Sequence, residues 1–407
     1  MHDRAIAAIG KWQLKKLREQ NLEKVDMYIQ NMFPGQDYQV LVLIFEISEK
    51  SCIYKGIDIE KVTSERKEFR KYAYRKGSSR GGDITFTTKL SKPQKIENEK
   101  TSVDKKIETV ENNTFKNLLI FKKDYPEEGR IFEMVRDCIK DKETKIKDDL
   151  NDVFESFDNQ QTKSTGLTFK IKENGIDKYL RDYDIIKKLI LSAGESTKYT
   201  HVSIKSKAKS RVCSVTGKQE PEIFGFAAPF KYSTADKPGF VSGFFNLKNN
   251  WKNYPISPDE AFNLELGGRF IKEHLTGYFY VSEYLMVPHP ILKTDIGQLE
   301  KIINLLKSAF DEERKARNEK RKRAEDRVQK LIAQEKNYFN LDMLFFTEDK
   351  KTGSMSIHLM IEEILPSRFR TLFIDVPEKI NQRTLFKNAI HYNKELSDLK
   401  FSFHLVK

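Results

Sequence analysis

Two stretches of this 407-residue chain combine residue types that can hold a nucleic acid. Tyr72-Ala-Tyr-Arg-Lys-Gly-Ser-Ser-Arg-Gly-Gly-Asp83 puts cations, aromatic rings and glycines into one loop. Glycine lets backbone N–H groups approach a phosphate, Arg75, Lys76 and Arg80 supply charge, and tyrosine offers a stacking face. It is not a P-loop, because the terminal Gly-Lys-Ser/Thr is missing. The competing reading is a hairpin turn with solvated charges. Lys205-Ser-Lys-Ala-Lys-Ser-Arg211 is an uninterrupted basic run with no large apolar residue to anchor it, so it reads as a loop or linker. A third charged stretch, Asp311 to Lys330, interleaves Glu312, Glu313, Glu319, Glu325 and Asp326 with cations, and pairing along one helix accounts for it.

Metal and catalytic chemistry find less support. Cys213-Ser-Val-Thr-Gly-Lys218, followed by Phe224-Gly-Phe226, Asp236-Lys-Pro-Gly-Phe240 and Trp251-Lys-Asn-Tyr-Pro255, has the outline of a zinc ribbon without its ligands. Structural zinc takes two close pairs of thiolates, and only Cys213 is present. The seven histidines form no His-x-x-x-His pair, and His2-Asp3 stands as a lone dipeptide at a frayed terminus. Pro258-Asp259 lacks the Glu-x-Lys partner of a metal nuclease and reads as helix capping, and no Gly-x-Ser-x-Gly elbow occurs. The expectation is a non-enzyme without catalytic residues, metal or cofactor.

The elements that would position these stretches are mixed. A helix-compatible pattern from about Asp3 to Asn31 ends at Pro34-Gly35, and Val40 to Ile47 then reads as a buried strand forming a hairpin with Cys52 to Ile59. Ser91 to Asn113 reads as a flexible excursion. Helices are expected over Glu127 to Asp141, Thr144 to Phe157 and Tyr179 to Ser192, with a hairpin at Asn174-Gly175. Ser257, Pro258, Asp259 and Glu260 start a helix reaching about His274. Phe279 to Val287 is a strand ended by Pro288 and Pro290, and Gln298 to Lys336 a long charged helix. Core-like composition returns over Tyr338 to Thr347, Ser356 to Leu365 and Leu385 to Phe403. The fold class is therefore multi-domain α+β, with mixed helices and antiparallel strands. Its segments are 1–113, 114–211, a ribbon-like 212–290, and 291–407.

Bulk properties agree with a polyanionic partner. The chain carries 73 Lys+Arg against 60 Asp+Glu, a net charge of +13, and phosphate backbones attract that sign. No apolar run approaches the ~18 residues of a membrane helix. Ala5 to Ile9 is too short for a signal peptide, and the three scattered cysteines suit a reducing compartment, so a cytoplasmic location without membrane contact is expected.

One resemblance gathers these features. Cys-Ser-Val-x-Gly-Lys, then Pro229-Phe-Lys-Tyr-Ser-Thr-Ala-Asp-Lys-Pro-Gly-Phe240, then Lys252-Asn-Tyr-Pro255, resembles the large subunit of the subtype I-B CRISPR Cascade complex. The Tyr74-Arg-Lys-Gly-Ser-Ser79 loop and Ile364-Leu-Pro-Ser-Arg368 resemble the same family in the expected order. Where that family has two Cys-x-x-Cys pairs, this chain has Cys213 and Thr216, then Ser257 and Glu260, so aromatic packing by Phe224, Phe226, Phe230, Phe240 and Trp251 would replace the metal. The resemblance implies a subunit that binds near the 5′ handle of the guide RNA (crRNA) and inspects the protospacer-adjacent motif of double-stranded target DNA. It implies as partners the Cascade backbone and handle-binding subunits, small helical subunits, and a recruited helicase-nuclease or transposition machinery. Arg75, Lys76 and Arg80 are assigned to RNA-handle or DNA-backbone contact, and Lys205, Lys207, Lys209 and Arg211 to DNA backbone. Asn246, Lys248, Asn249 and Asn250 are assigned to base edges, and Lys231 and Lys252 complete the nucleic-acid-binding set. The alternatives are a coiled-coil scaffold or RNA chaperone working through Asp311 to Lys330, and a cryptic nuclease.

Overall fold

The computed structural model describes residues 2–34, 36–49, 51–63, 65–77, 82–90, 107–109, 114–157, 161–201, 203–230, 246–279, 282–291, 296–315, 328–349, 354–383, 390–392 and 395–397. Two compact units result: residues 22–196 form one, and residues 1–21 with 197–407 form the other. The division follows contacts rather than the four consecutive segments read along the chain. Helices and mostly antiparallel sheets in both units make a multi-domain α+β fold. No helix among the described residues is long and apolar enough to cross a membrane.

In the unit of residues 22–196, β1 (Tyr38–Ile47) is the central strand of a five-stranded sheet. Its run Val40, Leu41, Val42 and Phe45 is fully buried, which a strand covered on both faces requires. The hairpin to β2 (Cys52–Val62) forms as expected, closed by Ser48 N–H donating to Ser51 O at 3.0 Å. A bulge opposite Ile44 and Phe45 places Gly56 at φ 109°, a conformation that glycine adopts without Cβ strain. β3 (Thr88–Leu90), β4 (Thr165–Glu173) and β5 (Ile176–Tyr179) complete the sheet. Asn174 and Gly175, both at positive φ, turn β4 into β5. β1 and β4 run parallel, which the antiparallel expectation did not include. Between them α2 (Pro126–Asp141) and α3 (Glu143–Glu155) pack Phe132, Val135, Ile146 and Leu150 into the core. The expected helix from Tyr179 is instead a 3-10 turn at Leu180–Asp182 followed by α4 (Asp184–Tyr199). That turn carries Arg181, whose Nε and Nη2 reach Asp26 Oδ1 and Oδ2 at 2.5 and 2.7 Å. Burial alone would raise the Asp26 pKa, but Arg181 and the Glu23 N–H outweigh it and hold the carboxyl below its ordinary range.

In the other unit, α1 (His2–Glu19) crosses α5 (Pro258–His274) at two glycines. A methyl carbon on Gly10 would lie 2.7 Å from the Asn263 carbonyl carbon, and one on Gly267 would lie 2.8 Å from that of Ile6. The helices therefore meet backbone to backbone, and Ile6, Ile9, Trp12, Leu264 and Phe270 fill the flanks. Beneath them lies an antiparallel sheet in the order β10 (Thr276–Phe279), β11 (Ser282–Pro290), β12 (Phe339–Glu348), β13 (Met355–Ile364). The single strand expected over Phe279 to Val287 is thus two. Pro288 and Pro290 belong to β11, beyond the reach of β10, where one edge needs no N–H donor. α6 (Ile296–Lys315) packs Ile302, Ile303, Leu306 and Phe310 on this core. Residues 316–327, the centre of the charged helix, lie outside the described residues, as do most of the 91–113 excursion and of Leu385 to Phe403.

Candidate nucleic-acid interface

The basic run is paired backbone. β6 (Thr200–His201) pairs with β7 (Ile204–Lys205), and β8 (Lys207–Val212) pairs antiparallel with β9 (Gln219–Phe224). The run ends β7 at Lys205 and forms β8 from Lys207 onward. Alternation of Lys207, Lys209 and Arg211 with Ala208 and Ser210 matches the strand period, which a search for large apolar anchors passes over. Register sets Lys209 opposite Glu222 and Arg211 opposite Glu220. The run has no acids of its own, but its partner strand brings two, and Lys207 Nζ pairs with Glu222 Oε1 at 3.0 Å. Lys207 also lies over the Tyr199 ring, 3.6 Å from its centroid, so it is the cation most committed to the scaffold. Lys205, Lys209 and Arg211 are exposed.

A 3-10 helix, Leu247–Lys252, is clamped beside these strands by Ser206. The fully buried Ser206 hydroxyl donates to Lys248 O and accepts from Trp251 N–H, both at 3.0 Å. Gly225 allows this approach, because a Cβ there would sit 2.7 Å from Trp251 N. The clamp brings Trp251 under two cations: Arg211 Cζ lies 5.5 Å and Lys252 Nζ 5.7 Å from its ring centroid. This trio was not legible beforehand, since Arg211 and Trp251 lie far apart in sequence and Trp251 was read as ribbon packing. The asparagines divide by role. Asn250 Nδ2 donates to Gly225 O, and its Oδ1 accepts from Asn253 at 3.0 Å, so its amide belongs to the scaffold. Asn246 Oδ1 caps the 3-10 helix through Lys248 N–H at 3.1 Å. Lys248 and Lys252 are exposed and Asn249 is half-buried. Lys231 lies outside the described residues.

The positions where the resemblance expects zinc ligands do not offer a zinc site. Cys213 N–H donates to Lys218 O and Gly217 N–H to Cys213 O, forming one tight knuckle. Ser257 N–H donates to the buried Cys213 Sγ at 3.4 Å, which joins the knuckle to the start of α5. Thr216 Oγ1 is taken by Lys218 N–H, and Glu260 Oε1 pairs with Lys11 Nζ at 2.5 Å. One thiol, one occupied hydroxyl and one ion-paired carboxylate do not make a four-ligand site. Ser257 starts α5 without capping it through its side chain. Of the expected aromatic packing, Phe224 and Phe230 are core residues, Phe226 faces His201 with centroids 5.6 Å apart, and Phe240 lies outside the described residues.

The glycine loop in the unit of residues 22–196 is built differently from the expectation. Tyr72 and Tyr74 are buried, so neither presents a ring to a base. Tyr72 donates to Glu60 at 2.6 Å; burial, and then the Asp83 carboxylate, push the Tyr74 phenol pKa up. Arg75 Nη1 donates to Tyr28 O at 3.1 Å, and its guanidinium lies 5.0 Å from the Tyr28 ring. Arg75 thus anchors the loop, Lys76 is exposed, and Arg80 lies outside the described residues.

Comparison with known proteins finds two successive family domains, the first of which also takes in most of α1. Residues 4–192 match the N-terminal domain of CRISPR-associated protein TM1802 (cas_TM1802), and residues 210–364 match its central domain. The break between the two matches falls at the end of α4, where the compact units also divide. No curated protein matches the chain. With two successive domains of one family covering most of its length, the chain belongs to the CRISPR-associated TM1802 family.

Proposed function

We propose that this protein is a non-catalytic large subunit of a type I-B RNA-guided surveillance complex, contacting the guide RNA near its 5′ handle and recognising the protospacer-adjacent motif of target DNA. The observation that carries the reading is the surface of β7 and β8, where Lys205, Lys209 and Arg211 stand exposed beside Trp251, Lys248 and Lys252 in a CRISPR-associated chain. Cations position a phosphate backbone, and a partly exposed indole flanked by cations suits contact with a base or sugar at a duplex end. Lys76 supplies a separate contact on the other unit, suited to RNA.

The test is reconstitution with guide RNA and backbone subunits, followed by binding to duplexes that differ only in the flanking motif. Co-elution with guide RNA and a motif preference weakened by Asn249→Ala with Lys248→Ala supports the proposal. A chain that never joins the ribonucleoprotein, or a preference unchanged by both substitutions, contradicts it.

A further inference from the structure

We propose that His2, Asp342 and Glu362, with His289 beside them, form a binding site for one divalent transition-metal ion. The dipeptide His2-Asp3 is not at a frayed end: it opens α1, and the fold brings it to β12 and β13. One donor atom from each of His2, Asp342 and Glu362 lies within 4.8 Å of the other two. His2 Nδ1 is 4.0 Å from Glu362 Oε1, and its other nitrogen, Nε2, is 3.2 Å from Asp3 Oδ1. A carboxylate against the second nitrogen is the usual arrangement that orients a metal-binding imidazole and leaves the first as ligand. Asp3 is itself fixed, because Tyr254 OH donates to its Oδ2 at 2.5 Å.

The other side of the site is equally specific. Asp342 is 1% exposed and forms no ion pair with Lys or Arg among the described residues. Its Oδ1 accepts from Glu363 N–H at 2.8 Å and faces His289 Nε2 at 3.2 Å. That nitrogen is buried without a hydrogen bond of acceptable geometry. At metal–ligand bonds of about 2.0–2.1 Å, tetrahedral ligand atoms stand about 3.3 Å apart, so this edge already has the spacing of two ligands on one ion. A β-bulge opposite Asp342, with Glu363 at φ 58°, sets the backbone from which Glu362 reaches the cluster. Glu362 is about half exposed and can close the remaining gap. Imidazole nitrogen with carboxylate oxygen suits Zn²⁺ or Mn²⁺ over Mg²⁺. Three strands and α1 would thereby be tied through one ion.

The experiment uses the full chain, stripped with chelator and titrated calorimetrically with ZnCl2, MnCl2 or MgCl2 alone. The expected result is one equivalent of Zn²⁺ or Mn²⁺ per chain, a raised melting temperature, and no comparable uptake of Mg²⁺. Glu362→Gln and His2→Gln should each weaken binding by about tenfold or more. Their metal-free melting temperatures should stay near that of the parent, which separates lost ligation from lost folding. Cys213→Ser should bind as the parent does. Absence of saturable uptake, uptake unaffected by both Glu362→Gln and His2→Gln, or uptake abolished by Cys213→Ser would each overturn the proposal.

Discussion

Gly10→Ala tests the α1–α5 crossing with a sign as well as a magnitude. In an exposed helix interior this change stabilises by roughly 0.5–1 kcal/mol, through alanine's better helix propensity. Here the added carbon would sit 2.7 Å from the Asn263 carbonyl carbon and 2.9 Å from its Cα. Comfortable carbon–carbon contact needs about 3.5–4.0 Å, so α1 must back away by about 1 Å. The obstacle is backbone and cannot rotate aside. Overpacking of this kind costs typically 1–3 kcal/mol, and with propensity deducted a net loss of about 1–2 kcal/mol is expected. Both tryptophans of the chain, Trp12 and Trp251, belong to this unit, and Trp12 packs edge-on to Phe270 at 5.3 Å. Urea unfolding followed by indole fluorescence therefore reports on this crossing without interference from the other unit. A midpoint moved upward in Gly10→Ala would refute the backbone contact, and Lys15→Ala, on the same helix, should leave the midpoint in place.

Three further outcomes follow from individual contacts. Asp26→Asn should destabilise the unit of residues 22–196 by about 3–5 kcal/mol, because it strands Arg181 without its bidentate partner; tyrosine-monitored denaturation reads it. Since the folded Asp26 pKa is depressed, its contribution is complete above the ordinary value near 3.8 and is lost as pH falls through the lower folded value; an acid melt insensitive to Asp26→Asn would contradict this. Ser206→Ala removes a buried hydroxyl that serves two backbone groups and should cost about 1–3 kcal/mol, with Trp251 emission shifted toward that of water.

Much of the fold was legible because its signals are local. The Val40–Ile47 strand, the Asn174-Gly175 turn, the helices at Pro126 and Glu143 and the proline start of α5 each follow from a few neighbouring residues. The failures share a cause. Lys205 to Arg211 was read as a linker because its pairing strands, β6 and β9, and the acids of β9 lie outside the run, and Tyr72 and Tyr74 were read as exposed because their burial, and the Glu60 partner of Tyr72, come from the rest of the fold. The parallel pairing of β1 with β4 and the meeting of His2 with Asp342 and Glu362 likewise depend on long-range closure. Of the candidate site, Lys76, Lys205, Lys209, Arg211, Lys248 and Lys252 are exposed, as charge in polar stretches suggests, whereas Arg75 as a loop anchor, Trp251 as a partner of Arg211 and Lys252, and Asn250 as scaffold required the fold.

The account stands most directly on the salt dependence of duplex binding by the reconstituted complex. With Lys205, Lys209 and Arg211 replaced by alanine, three backbone contacts disappear, and each contributes about 0.9 to the slope of log affinity against log salt. The slope should flatten by about 2–3 units, with affinity falling alike on duplexes of every sequence. A slope equal to that of the parent complex would contradict the assignment of this basic run to DNA.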